Sequence, residues 1–174
     1  MSKALPIALA LLMPGLGTAQ TPAPASAPVA TDVTSADIRS FIDALPRDVV
    51  SDRAIRVVEV TGDYRVGVFG VFRPQSLAGD ANLHRVNTTE IYYMYMLAGA
   101  ATLVTGGTMD EPYQPETSPM SLRAPRVEGG VTRRVVPGDV IVIPGHTPHW
   151  WSELESDIEY LIFRPDPDNR IGLR

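Results

Sequence analysis

Pro137-Gly138-Asp139-Val140-Ile141-Val142-Ile143-Pro144-Gly145-His146-Thr147-Pro148-His149 is a short apolar run held between two turns and followed by a histidine. The Pro137-Gly138 pair makes a tight turn. Val140 to Ile143 are all apolar and β-branched, the composition of a strand covered on both faces. Pro144-Gly145 then ends the pairing, since proline donates nothing to a ladder and glycine allows the sharp bend. Thr147-Pro148 stiffens the corner and delivers His149 at the head of a second apolar run with Trp150 and Trp151. The pattern predicts a rigid hairpin that holds one imidazole at a fixed height, as a metal ligand or an acid-base group requires.

Outward from this stretch the chain is a series of short β-rich runs. Residues 55–61 and 64–72 read as a hairpin turning at Gly62-Asp63, and 90–97 with 101–105 as the next. Residues 131–136, 140–143, 149–152 and 158–163 complete about eight strands, and with no helix among them they mean a sandwich or barrel. Residues 75–83 and 108–130 read as loops. The second holds Pro112, Pro115, Pro119 and Pro125 and is placed to lid the barrel mouth. A helix is predicted over 35–45, capped by Thr34 or Ser35 and ended by Pro46, with Ile38, Phe41, Ile42 and Leu45 on one face. So short a stripe is read as packing on the outside of the domain rather than as a partner-binding helix.

Residues 1–19 read as a secretory signal: Lys3 supplies the positive end, 5–16 the apolar segment, and Gly17-Thr18-Ala19 the cleavage pattern. Residues 20–34, rich in proline, alanine, serine and threonine, read as a disordered spacer, and 35–174 as one domain. The expectation is a periplasmic or secreted protein. Lys3 is the only lysine, and fourteen arginines face twenty acids. That balance argues against nucleic acid and against a membrane surface as partners of the mature form. There is no cysteine, hence no disulfide and no thiol nucleophile, and no Gly-x-Ser-x-Gly elbow or phosphate loop.

The opening stretch resembles the second conserved motif of the cupins, with Gly138, Pro144 and His149 at the matching places and His146 where the family has its second glycine. His84-Arg-Val-Asn-Thr-Thr-Glu90-Ile-Tyr92, running on to Gly99, resembles the first motif. The resemblance covers about residues 55–165 and implies an all-β fold, the cupin double-stranded β-helix or jelly-roll barrel, here with a short N-terminal helix. It also implies a homodimer.

The three histidines, His84, His146 and His149, all lie in the two motifs. Two imidazoles and a carboxylate can occupy one face of a divalent ion and leave the other open. The resemblance implies His84, Glu90 and His149 as metal ligands, with iron, manganese or zinc all compatible with that set. The family places its glutamate seven residues before the glycine that closes the strand, and seven before Gly99 is Tyr92, whereas Glu90 is nine before it. Glu90 and Tyr92 share a strand face. Glu90 is the better ligand, because a protonated phenol binds metal poorly, and Tyr92 then becomes a catalytic donor or a lining residue. The plain alternative for Glu90 is a carboxylate paired with an arginine. His146 is read as a surface turn residue.

Met94, Met96, Val68 and Phe72 would supply apolar walls for a small organic molecule, since a barrel of this size has no room for a polymer. The resemblance implies a metalloenzyme, dioxygenase-like or a non-redox isomerase or lyase. The alternative is a non-catalytic cupin that binds a small ligand or a metal.

Overall fold

The computed structural model describes residues 30–60, 64–77, 79, 81–84, 92–116, 121–170 and 172–174, with the backbone alone for 81–84 and 92–93. The readings of 1–19 as a signal and of most of 20–34 as a spacer lie outside the described residues.

Helix α1 spans Ser35–Asp43. Thr34 caps it: its side chain accepts from the Asp37 amide at 3.1 Å, and the Asp37 carboxylate accepts from the Thr34 amide at 3.1 Å. This is a reciprocal capping box. The cap contributes about 1 kcal/mol, but packing decides where the helix sits. Ile42 and Leu45 are buried against Phe72 and Leu161, with Ile38 and Phe41 beside them, and each fully buried side chain of this kind is worth roughly 1.5–3 kcal/mol. The apolar stripe therefore packs on the outside of the barrel, as expected.

Among the described residues twelve strands follow: β1 Ser51–Val60, β2 Tyr64–Arg73, β3 Ala81–His84, β4 Tyr92–Ala98, β5 Ala101–Thr105, β6 Thr108–Asp110, β7 Ser121–Ala124, β8 Arg126–Glu128, β9 Val131–Val135, β10 Val140–Ile143, β11 His149–Leu154 and β12 Ile158–Asp166. A 3-10 turn, Gln75–Leu77, stands between β2 and β3. Two five-stranded antiparallel sheets result, ordered β1-β2-β12-β4-β10 and β7-β3-β11-β5-β9, with β6 and β8 as a separate ribbon.

The pairings define the topology. β2 pairs with β12, β3 with β11, β4 with β10 and β5 with β9. Two arms of the chain run antiparallel and wind together, passing from one sheet to the other at each step. That is a double-stranded β-helix, the jelly roll expected from the sequence.

Alternation along the strands divides inside from outside. Phe69, Val71, Met94, Met96, Leu103, Ile141, Ile143, Trp151, Tyr160 and Ile162 share the interior cluster. Trp151 of one sheet meets Tyr160 of the other, ring centroids 5.7 Å apart at 51°. Trp150, of opposite parity, packs outside with Val104, Ala124 and Val127, and its indole N–H donates to the Gly79 carbonyl at 3.1 Å.

Several expectations are corrected. Val140 and Val142 are exposed, at 60% and 54%, while Ile141 and Ile143 are buried. β10 is an edge strand whose outer face α1 does not reach, so β-branched composition did not mean two covered faces. β4 and β5 form no hairpin with each other, nor do β10 and β11, because each pair is split between the two sheets. Residues 108–130 are not an irregular loop but contain β6, β7 and β8, with Arg126 bridged to Asp110 at 2.7 Å. The short strands lie between prolines and pair with distant segments, so local composition concealed them. β3 likewise begins inside the predicted loop 75–83 and ends at His84. Phe72 lies under the helix, and Val68 shares its strand parity. The interior residues of β2 are Phe69 and Val71 instead.

Candidate metal centre and arginine-lined cavity

His149 opens β11 and points inward by parity with Trp151. Its register partners are Thr105 on β5 and Asn82 on β3. The corner before it is tied down, since the Gly106 amide donates to the Pro148 carbonyl at 2.9 Å. Nδ1 of His149 lies 3.1 Å from the Thr147 carbonyl oxygen. A carbonyl only accepts, so Nδ1 carries the hydrogen and Nε2 carries the lone pair.

The ring keeps some solvent access, yet burial dominates its chemistry and pulls its pKa from 6.5 to about 4. The Thr147 carbonyl opposes this by stabilising the protonated form, and the charges of Arg73, Arg123 and Arg164 lower it further. His149 is thus a neutral imidazole at physiological pH, the state a metal ligand needs.

In protein treated with EDTA, the His149 ring is expected to titrate near pH 4 by NMR, its signal assigned by loss in His149→Ala. A midpoint near 6.5 would contradict the burial. The unfolded ring takes its proton near 6.5 and the folded ring near 4, so between those values the unfolded chain binds more protons. The stability this group contributes is complete above pH 6.5 and is lost as pH falls to about 4, by about 3 kcal/mol at most.

The other predicted ligands are placed by backbone. His84 ends β3 opposite Ser121, two residues from Asn82, the direct neighbour of His149. A diagonal relation of that kind brings two positions to about 7–8 Å. Tyr92 begins β4 opposite Ile143, two residues before the interior Met94. Glu90 lies outside the described residues. Among the described residues no group of three or more His, Cys, Asp or Glu side chains comes together as a metal cage. His146 is exposed in the turn with φ of 57°, the left-handed conformation that a glycine at this motif position adopts without strain.

A cavity of 740 Å³ opens where the β1 edge of one sheet faces the β7 edge of the other. Asp52, Arg73, Ser76, Arg123 and Tyr160 supply its polar lining. Arg164 donates to Asp52 at 2.5 Å and lies 4.2 Å over the Phe69 ring, so that charge is balanced. The sequence reading missed these arginines. The available signal was parity: Arg73 continues the inward series Phe69, Val71, and Arg164 continues Tyr160, Ile162. Asp166, at 0% exposure, extends the second series and sits opposite Arg65 in the β2–β12 register.

Wound arms and facing sheets define the fold, a double-stranded β-helix or jelly-roll barrel. No family model matches the chain, and no curated protein matches it. Among solved structures, a protein from Bacillus halodurans is 15% identical over 88% of this chain and 89% of its own, with a TM-score of 0.45. An RmlC-like cupin family protein from Methanocaldococcus jannaschii is 10% identical, covering 71% and 87%, TM-score 0.39. The DMSP lyase DddQ from Ruegeria pomeroyi is 15% identical, covering 87% and 83%, TM-score 0.43.

Proposed function

We propose that this protein binds a divalent metal ion through His84, Glu90 and His149 and uses it on a small organic molecule held in the barrel. The observation that carries the reading is the state of His149: an inward, neutral imidazole whose Nδ1 hydrogen is fixed on the Thr147 carbonyl, so that Nε2 has the lone pair for a ligand bond. The donor set fits iron, manganese or zinc, with His84 a diagonal neighbour of His149 along the backbone. When bound, such an ion supplies Lewis acidity or oxygen activation. The chain's own part is to hold His149 at one height, to keep it unprotonated, and to give the substrate room within the barrel. Tyr92 is the proposed catalytic donor. Export through the N-terminal 19 residues belongs to the same reading and sets the compartment where metal is acquired.

Elemental analysis of protein purified without added metal is expected to find close to one equivalent of iron, manganese or zinc. Metal-free protein that also takes up none of the three on dialysis would rule the centre out and leave a non-catalytic small-ligand cupin.

A further inference from the structure

The chain is acidic overall, with a formal charge of −5, yet the cavity between the two sheet edges has two arginines on its wall. Arg73 and Arg123 both stand on its wall, one from each sheet, and the one acid among its described lining residues, Asp52, is paired with Arg164. Arg73 is steadied by the Leu77 carbonyl, 3.4 Å from its Nη1, so its head group is held against the 3-10 turn. Arg123 has a buried Nε with no hydrogen-bond partner among the described residues. Leaving such a donor unsatisfied is costly. A cavity that concentrates positive charge on an acidic protein is built for a negative guest.

The geometry points to a carboxylate-binding site: Arg73 and Arg123 together hold a small organic acid, the molecule on which the barrel acts. This rests on the reading of the barrel as a small-molecule site and names its ligand class. The guanidinium fork matches a carboxylate bidentately, and 740 Å³ suits a small organic acid. The position is also right for chemistry. In the row across the sheet, Arg123 pairs with Asn82, and Asn82 with His149. With strands 4.7–4.9 Å apart, Arg123 and His149 stand about 10 Å apart along the backbone. An acid anchored on Arg123 therefore extends towards His149. His149 does not line the cavity itself, but the charges of both arginines reach it.

The test is calorimetric titration of the full chain with succinate and benzoate, beside their methyl esters and inorganic phosphate. The acids are expected to bind and the esters not, and Arg123→Gln is expected to weaken binding by about tenfold to a hundredfold. Arg73→Gln serves as the second variant, with near-UV circular dichroism confirming that each folds. Phosphate binding as tightly as either acid would replace the carboxylate assignment by a phosphate site. Esters binding as well as acids, no acid binding at all, or full affinity in both folded variants would overturn the proposal. Repeating the titration after EDTA separates the two readings. Acid binding that needs metal and survives both arginine substitutions leaves the metal centre standing and removes the arginine site. Binding that persists in a chain unable to take up metal does the reverse.

Discussion

His149→Ala is expected to lower affinity for a divalent ion by about a hundredfold or more, because a lost ligand costs more than the 10–100-fold typical of a lost supporting hydrogen bond. The fold should survive. The ring belongs to none of the buried apolar clusters, and its Nδ1 bond runs to Thr147, only two residues away in the same corner. Glu90→Ala should behave in the same way, while His146→Ala, changed on an exposed turn, should bind metal like the parent. Tyr92→Phe decides between the two candidates for the motif's acid: loss of metal there, with Glu90→Ala unaffected, would hand the place to the phenol. Metal content unchanged in His149→Ala protein would sink the centre altogether. Equilibrium dialysis with each ion, read by elemental analysis, measures all four variants.

Gly99→Ala should be the most damaging single-methyl change in the described corners, costing about 3 kcal/mol or more. Gly99 lies between β4 and β5, where the chain leaves one sheet for the other, and its φ is 79°. An L side chain there pays roughly 1–2 kcal/mol for the left-handed conformation alone. The added methyl would also fall within the radius of the Asp157 carbonyl oxygen and 2.9 Å from both Ile158 Cγ2 and Ser156 Oγ. A backbone carbonyl cannot swing aside as a side chain does. Gly138 is the control: its φ is 93°, but nothing lies within 4 Å of the new methyl, so Gly138→Ala should cost only about 1 kcal/mol. Urea unfolding midpoints separate the two, and equal losses would show that the Asp157 contact does not matter.

The sequence carried the barrel and its histidine corner because both depend on short-range signals. Pro137-Gly138 and Pro144-Gly145 bound β10, and Thr147-Pro148 delivers His149 as expected. The helix was equally plain, for Thr34 and Asp37 declare its start and Ile42 with Leu45 its buried face. What local pattern could not reveal was pairing. A strand such as Arg126–Glu128 has no periodicity of its own and exists because Thr108–Asp110 lies beside it. Nor does composition say which sheet a run joins, so β4 and β5 looked like a hairpin when they are a corner. The exposure of Val140 and Val142 belongs to the same class, being set by how far α1 reaches. The arginines of the cavity were hidden for other reasons: Arg73 ends its strand and reads as a solvated terminus until the parity of Phe69 and Val71 is followed through, and Arg123 lies in the stretch that read as a loop.

β12 has a consequence for how the molecule comes into being on the ribosome. It is the last strand of the twelve to be synthesised, yet it stands at the middle of its sheet, with β2 on one side and β4 on the other. Until Ile158–Asp166 has emerged, β2 and β4 each face an empty slot, and the interior lacks Tyr160 and Ile162. The nascent chain therefore cannot bank its structure in instalments from the N-terminus, as a repeat protein does. Assembly waits until β12 has emerged and then proceeds in one cooperative step, at the slow pace of a fold whose pairings join distant segments.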